Sequence, residues 1–431
     1  PVALQNLLSF AVNMLDTVMV GTLGDVTLSA TSLANQVSIY MMMIVRGLGG
    51  GAAMMISQYW GKQDIGRIKS IFSIGMKASV AISLLATVLI MVIPETMMGI
   101  FTNDPLIIAE GVKYLVIVAF SFVIYAVSQT LVAMLRCVEI VRIGLTTSIA
   151  AFAVNVVGNY VLIFGKLGLP RLGGIGAGVA TGITFWLLLV MFAAVVTKLQ
   201  PFKQYDVLGF VRPVKHLVAE YLRIGVPMGV AIFMETSIFG VVALFIAKFG
   251  TEVIAAHQAA LNFSSLIYMF PMSFSLALTI VVGVEYGAKN YQGARDYTAL
   301  GLEMSLFIAM IYMMLELVTR EYIALIYTTN PHVIELVKVF IIYAIMWQGG
   351  DAIAAPIQGI LRGYKDVNAT FWCSMLAYWA ICLPVGLLLD YKFNNGAFAY
   401  WQSLDIGVIC SAVVLSLRLI LLQRRIKKYE E

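Results

Sequence analysis

Charged side chains are scarce: Asp, Glu, Lys and Arg make up 12% of the 431 residues, against roughly a quarter in soluble domains. So little charge cannot cover a water-facing surface, and an ordinary soluble fold is excluded. Histidine is nearly absent, and His216, His257 and His332 lie scattered with no HExxH spacing for zinc. The four cysteines, Cys137, Cys373, Cys382 and Cys410, share no metal-ligand spacing and read as packing residues. No GxxxxGK[ST] loop occurs, which removes an ATP-driven pump acting alone. The Gly47 to Gly51 run lies inside an apolar stretch rather than after a strand, so it is no dinucleotide fingerprint. Net charge is +5, yet the bases are dispersed and never form an aromatic-interleaved stripe, so nucleic acid is not an expected partner. Pro1 opens an apolar run with no Met before it, so the sequence is expected to begin a few residues into the full protein, and no cleaved signal peptide is read.

What is abundant is hydrocarbon: 61% of residues are hydrophobic and the mean hydropathy is +0.92. A hydrocarbon core of about 30 Å takes ~20 apolar residues per helical crossing. The sequence predicts twelve such helices, near 1–20, 30–56, 70–93, 111–135, 143–164, 174–197, 224–247, 254–282, 297–319, 333–360, 368–389 and 401–422. Loops after even-numbered helices and the C-terminal tail hold 18 Lys and Arg, while the alternate loops hold Lys113, Lys166, Arg171, Lys248, Arg320 and Lys392. Cytoplasmic loops carry the excess, so both termini are expected inside, in a multi-pass protein of the bacterial inner membrane.

One fixed offset aligns the two halves. Adding 226 pairs Pro1 with Pro227, Gly24 with Gly250, Ser38 with Ser264, Gly61 with Gly287, Pro105 with Pro331 and Arg136 with Arg362. An offset holding six helices keeps both copies in one orientation, which predicts an all-α membrane protein of two six-helix bundles about a pseudo-two-fold axis along the membrane normal. The bundles are expected at 1–197 and 224–431, joined by a basic cytoplasmic linker at 198–223. In such architectures the substrate site lies near the midplane and one bundle rocks against the other.

Charge inside a membrane costs several kcal/mol on the order of most scales and usually marks function, so buried carboxylates guide the search. Asp16 lies late in the first helix, Glu235 within FMETSIFG and Asp351 within WQGGDAIAAP. At 1.5 Å per residue Glu235 is ~17 Å and Asp351 ~14 Å from the cytoplasmic ends of their helices. They can share a layer. The equivalents of Asp16, Glu235 and Asp351 in the opposite halves are Val242, Ser9 and Tyr125, so the fold itself requires no acid there. Two desolvated carboxylates at one depth repel each other and so attract Na⁺ or protons. Tyr268 can add a hydroxyl or an aromatic face to that site. Asn155 and Asn159 are spaced i, i+4 on one helix face at a depth of ~18 to 24 Å, close to Asp16 at ~22 Å. They form either a polar cluster with Asp16 or an interhelical staple. Arg46 lies too deep to reach headgroups and needs an anionic partner or a watered cavity. Gly174, Gly178 and Gly182 recur every four residues and make a smooth face for close packing.

With these residues in view, the sequence resembles the multidrug and toxic compound extrusion (MATE) family over essentially its whole length. The signals are Pro1, NMLDTVMVGTLG from Asn13, SQYWGKQD from Ser57, IFTNDP from Ile100 and NVVGNYVLIFG from Asn155. In the second half they are ETSIFGVVAL from Glu235, AAHQAALNFSS from Ala255, YMFPMS from Tyr268, DAIAAPIQGILRGYKD from Asp351 and Pro384, similar to the NorM branch. The resemblance implies export of organic cations in exchange for Na⁺ or H⁺, with no cofactor beyond the coupling ion and no enzymatic activity. It further implies that Glu235, Asp351 and Tyr268 form the cation-coupling site, Glu235 and Asp351 ligating Na⁺ if sodium is the ion. Asp16, Asn155 and Asn159 become the proton- or substrate-linked cluster, and Gln258 and Asn262 face the substrate cavity. NorM-like sequences usually carry Arg where this chain has Val281, so no role of that Arg carries over. Asp104, in IFTNDP, reads as a solvated cap. The expected partners are small organic cations and the bilayer, with the chain acting as a monomer. The alternative is a flippase for lipid or lipid-linked oligosaccharide, which would need several cationic residues to meet diphosphate where only Arg46 qualifies.

Overall fold

An apolar run crosses oil only when its own backbone satisfies every N–H and C=O, and a helix does so within itself. The computed structural model describes residues 2–137, 141–198 and 214–430, and among them no strand occurs. Eleven helices are long and apolar enough to cross a membrane, or up to 12 when a bent pair is taken as one span. The chain is an all-α, multi-pass membrane protein.

Two compact units form, Pro1–Gly229 and Val230–Glu431. The first holds α1 (Val2–Gly21), α2 (Asp25–Gly61), α3 (Ile65–Val92), α4 (Pro94–Gly99), α5 (Pro105–Phe120), α6 (Phe122–Cys137), α7 (Val141–Phe164) and α8 (Gly174–Lys198). Helix α9 (Lys215–Ala247) passes from the first unit into the second. The second continues with α10 (Thr251–Gly287), α11 (Tyr291–Tyr327), α12 (Pro331–Gly363), α13 (Val367–Ser374), a π-helical stretch (Met375–Cys382), α14 (Leu383–Phe393) and α15 (Phe398–Glu430). Of the expected linker, residues 199–213 lie outside the described residues, as does Pro1, while Lys215 to Arg223 form the first turns of α9.

The 226-residue offset governs element boundaries as well as sequence. Helices α2 and α10 begin at 25 and 251 and end at 61 and 287, and α6 and α12 end at 137 and 363. The punctuation is shared too. Gly24 and Gly250 precede their helices with φ of 122° and 109°, a region glycine enters without a Cβ clash. Asp64 and Asn290 cap α3 and α11, accepting from the backbone N–H of Arg67 and Gly293. Asp104 and Asn330 do the same for Leu106 and His332, so Asp104 is the cap that the sequence suggests.

Where the copies differ, a local cause is visible. Pro94 starts a separate short helix after α3, while its equivalent Arg320 lies inside the unbroken α11. The span expected at 111–135 is two helices bent by 47° at Ser121, where the Thr87 hydroxyl donates to the Ala119 carbonyl at 2.9 Å and enters the helix ladder. Pro384 has no N–H and crowds the carbonyl four residues back. The turns before it widen into the π-helical stretch, with Leu383 N–H reaching the Tyr378 carbonyl. The equivalent of Pro384 is Gly158, inside the regular helix α7.

Small residues set the packing distances. A Cβ on Gly178 would meet Tyr114 and Val118 at 3.3 Å, and one on Gly182 would meet the Ser121 hydroxyl at 2.8 Å, so α8 lies flush on α5 and on the bend. The tightest approach in the second unit joins α10 to α12: a Cβ on Gly359 would stand 2.1 Å from the Ser275 carbonyl oxygen. There Thr279 donates to the Gly359 carbonyl at 3.0 Å, stitching backbone to side chain. Gly359→Ala is therefore expected to destabilise the protein by about 2 kcal/mol, since a methyl forced into a filled contact strains both helices. Thermal unfolding in detergent measures this, and an unchanged midpoint would contradict the contact.

Candidate functional site

The first unit gathers its polar residues around Asp16. Late on α1, Asp16 is half-buried, whereas Asn155 and Asn159 on α7 are fully buried. Asn159 donates through Nδ2 to Asp16 Oδ1, and also to Asn155 Oδ1 at 2.9 Å. Thr181 on α8 donates to Asp16 Oδ2 at 3.4 Å. The i, i+4 spacing on α7 thus places both amides on the face that meets α1. Beside them lies a cavity of about 20 Å³ lined by Asp16, Asn13, Thr31, Asn35 and Tyr114, room for about one water. The arrangement holds a carboxylate between neutral donors next to a small polar space.

Arg46 on α2 is exposed and donates through Nε to the Tyr125 hydroxyl at 3.1 Å. Its partner is the residue equivalent to Asp351, so one position carries a phenol in the first copy and an acid in the second.

The second unit brings together Glu235 on α9, Asp351 on α12 and Tyr268 on α10. Glu235 is half-buried and accepts two hydrogen bonds on Oε1, from Gln358 at 2.9 Å and from Ser374 at 2.5 Å. Gln358 in turn accepts from Arg362 at 3.1 Å, so a permanent cation stands one amide away from Glu235 without touching it. Ser374 ends α13 just before the widened turns, and Trp379 within them donates to the Met234 carbonyl at 3.1 Å. Glu235 is thereby hung on the irregular segment, and π-turns often coincide with functional positions. Asp351 is 5% exposed and its Oδ2 has no hydrogen-bond partner. Glu235 lies within electrostatic reach of Asp351, and Tyr268 and Tyr378 within reach of both acids. Tyr268 packs its ring 5.9 Å from that of Trp347, which meets Phe239 edge-on at 5.6 Å. Two acids and nearby hydroxyls make an all-oxygen donor set, which suits a hard cation or a proton.

Gln258 and Asn262 lie exposed on α10, on the same helix as Tyr268 and N-terminal to it, and Asn262 accepts from the Tyr327 hydroxyl at 2.9 Å. Among the described residues no group of three or more His, Cys, Asp or Glu could hold a metal. Two buried acids escaped the reading of the sequence. Glu316 on α11 is 2% exposed and accepts from Gln348, and Asp405 on α15 is 4% exposed with neither oxygen partnered. Applying the 226 offset to every acid, rather than to three, finds both: their equivalents are Ile90 and Val179.

A half-buried carboxylate beside a small polar cavity, and a pair of acids set among membrane-spanning helices, are features that suit a transporter. The MatE family model matches residues 1–161 and 227–388, two stretches that begin one repeat apart. The chain belongs to that family, as its resemblance implied. It is 34% identical over 432 residues to a probable multidrug resistance protein NorM of Halalkalibacterium halodurans, covering 99% of this chain and 94% of that one. It is 44% identical over 285 residues to its counterpart in Bacillus subtilis, covering 66% of this chain and 63% of that one. The crystal structure of the eukaryotic MATE transporter AtDTX14 superposes with a TM-score of 0.89 at 20% identity, covering 99% of this chain and 95% of that one, a likeness of fold.

The Asp16 cluster makes an ordered prediction. Asn159→Ala removes the donor to Asp16 and is expected to cost about 1–3 kcal/mol of stability, the penalty of a buried polar group left unpaired. Asn155→Ala leaves the bond to Asp16 standing and is expected to cost less. Equal losses in detergent melting curves would show that Asn159 does not hold Asp16.

Proposed function

We propose that the chain is a secondary multidrug antiporter, exporting amphipathic organic cations from the cytoplasm in exchange for Na⁺ or H⁺ by alternating access. It works as a monomer in the bacterial inner membrane with both termini cytoplasmic, its bundles at 1–197 and 224–431 joined through 198–223. The observation that carries this reading is the Glu235 and Asp351 pair, two acids within electrostatic reach of each other, one of them holding an orphaned oxygen in the core. A coupling ion joins them, with Tyr268 alongside, and Na⁺ would be held by the two carboxylates. In the first unit Asp16, with Asn155 and Asn159, serves the proton- or substrate-linked step, and Gln258 and Asn262 face the substrate. The names of the relatives support drugs as the substrate class.

Coupling requires that drug and ion favour opposite states, because a ligand shifts an equilibrium only by its difference in affinity for the two. Energetics then limit the stoichiometry. Exchange of one monovalent drug cation for one Na⁺ or H⁺ moves no net charge, so the membrane potential, ~2.3 kcal/mol per charge per 100 mV, does no work. The ion gradient alone then drives export, at ~1.4 kcal/mol per tenfold ratio. Electrogenic exchange needs a second cation.

Drug efflux in everted vesicles, with Na⁺ and pH gradients imposed separately, tests the assignment. Glu235→Gln and Asp351→Asn are each expected to lower ion-driven efflux at least about tenfold, as expected when an interaction of about 1.4 kcal/mol or more is lost from the coupled step. If both variants export as well as the parent under either gradient, this coupling site is wrong. Asp16→Asn is expected to weaken drug affinity or change the pH dependence of efflux, and unchanged values for both would reduce the first cluster to a staple.

A further inference from the structure

Beyond the pair just described, the second unit contains a polar group that neither the repeat nor the coupling site accounts for. Tyr312 and Glu316, spaced i, i+4, share one face of α11, and Gln348 and Asp351, spaced i, i+3, share one face of α12. Gln348 Nε2 donates to Glu316 Oε1 at 3.1 Å, joining the two faces. The Tyr312 hydroxyl lies within electrostatic reach of both Glu316 and Asp351. All four side chains are more than nine-tenths buried, at 7%, 2%, 1% and 5% exposure in chain order.

Their hydrogen bonds do not balance. Glu316 Oε2, Gln348 Oε1, Asp351 Oδ2 and the Tyr312 hydroxyl all lack a partner. Glu316 makes no ion pair among the described residues, and its bonded neighbour is the single Gln348 amide. The Tyr312 hydroxyl links Glu316 to Asp351 on α12, and Tyr268 on α10 lies in turn within electrostatic reach of Asp351, of Glu235 on α9 and of Arg362 on α12. The neighbouring orphaned donor, Trp347 Nε1, sits next to Gln348 in sequence, where side chains do not share a helix face. A surplus of buried acceptor oxygens without a base attracts positive charge, because an unpaired buried carboxylate costs several kcal/mol on the order of the desolvation penalty.

The first copy shows that the fold does not need this polarity. The equivalents of Tyr312, Glu316 and Gln348 are Ala86, Ile90 and Phe122, and all three are buried in the apolar core of the first unit.

We propose that Glu316, with Gln348 and Tyr312, is a second position for a small monovalent cation, one helical turn along α12 from Asp351, so that two coupling ions are exchanged for each drug. The inference rests on the reading of Glu235 and Asp351 as the coupling site. Its consequence is electrical: two cations entering for one monovalent drug leaving carry one net positive charge inward, and an inside-negative potential drives export.

The test uses the full chain in proteoliposomes with ethidium as the monovalent cation and potassium–valinomycin potentials imposed at fixed Na⁺ and pH gradients. For one net charge per cycle, about 60 mV shifts the steady-state ethidium ratio about tenfold. The parent is expected to show that slope, Glu316→Asp to keep it, and Glu316→Gln to lose it while exporting more slowly on the ion gradient. Gln348→Met, which removes the amide bonded to Glu316, is expected to lose it too and serves if Glu316→Gln does not insert. A parent indifferent to potential, or a Glu316→Gln variant with the parent's slope, overturns the inference. Repeating the measurement in Na⁺-free buffer and at equal pH separates protons from sodium. Asp351→Asn distinguishes the two levels: if it still exchanges drug for ion, the coupling site itself fails, and if it is inactive while Glu316→Gln keeps the slope, only the second position fails.

Discussion

Oil supplies no hydrogen-bond partner, so every polar group that enters it must be answered from within the chain. That constraint shapes the backbone into helices and disciplines the side chains as well. Buried hydroxyls turn back onto their own helices, as Ser38 does to the Ala34 carbonyl at 2.9 Å and Ser264 to Ala260 at 2.8 Å. Amides seek acids: Asn159 finds Asp16, Gln358 finds Glu235 and Gln348 finds Glu316. Against that pattern, orphaned oxygens on Asp351, Glu316 and Asp405 stand out as carboxyl atoms that no side chain answers.

The repeat gives this argument its control. Both copies place caps at equivalent positions and share several helix boundaries, so shared positions report what the architecture requires. At those positions the first copy has Ile90 and Phe122 where the second has Glu316 and Gln348, and Tyr125, engaged by Arg46, where the second has Asp351. The two copies share a scaffold and differ in where they are polar.

Much of this was legible in the chain. Apolar run length marks the crossings, because hydrocarbon thickness sets the number of residues each must have. Helical spacing brings Asn155 and Asn159 to one face, since 3.6 residues per turn is a local property. What the sequence concealed depends on contacts between distant segments. The bend at Ser121 is made by a hydroxyl from α3, 32 residues before its acceptor. The donors to Glu235 come from 123 and 139 residues away, and no spacing rule connects them. Glu316 was hidden for a different reason: it lies in a run of ordinary apolar residues, and only comparison with Ile90 marks it as unusual.

The contact at Gly359 has a mechanical consequence. With the Ser275 carbonyl pressed against the place where a Cβ would sit, no side chain separates α10 from α12 there, and neither can slide along the other without collision. The two behave as one plank that carries Tyr268 and Asp351 together. Glu235 stands outside that plank: the Gln358 amide ties it to α12 and the Ser374 hydroxyl to the end of α13, so side-chain bonds rather than a pressed backbone set its place among the acids.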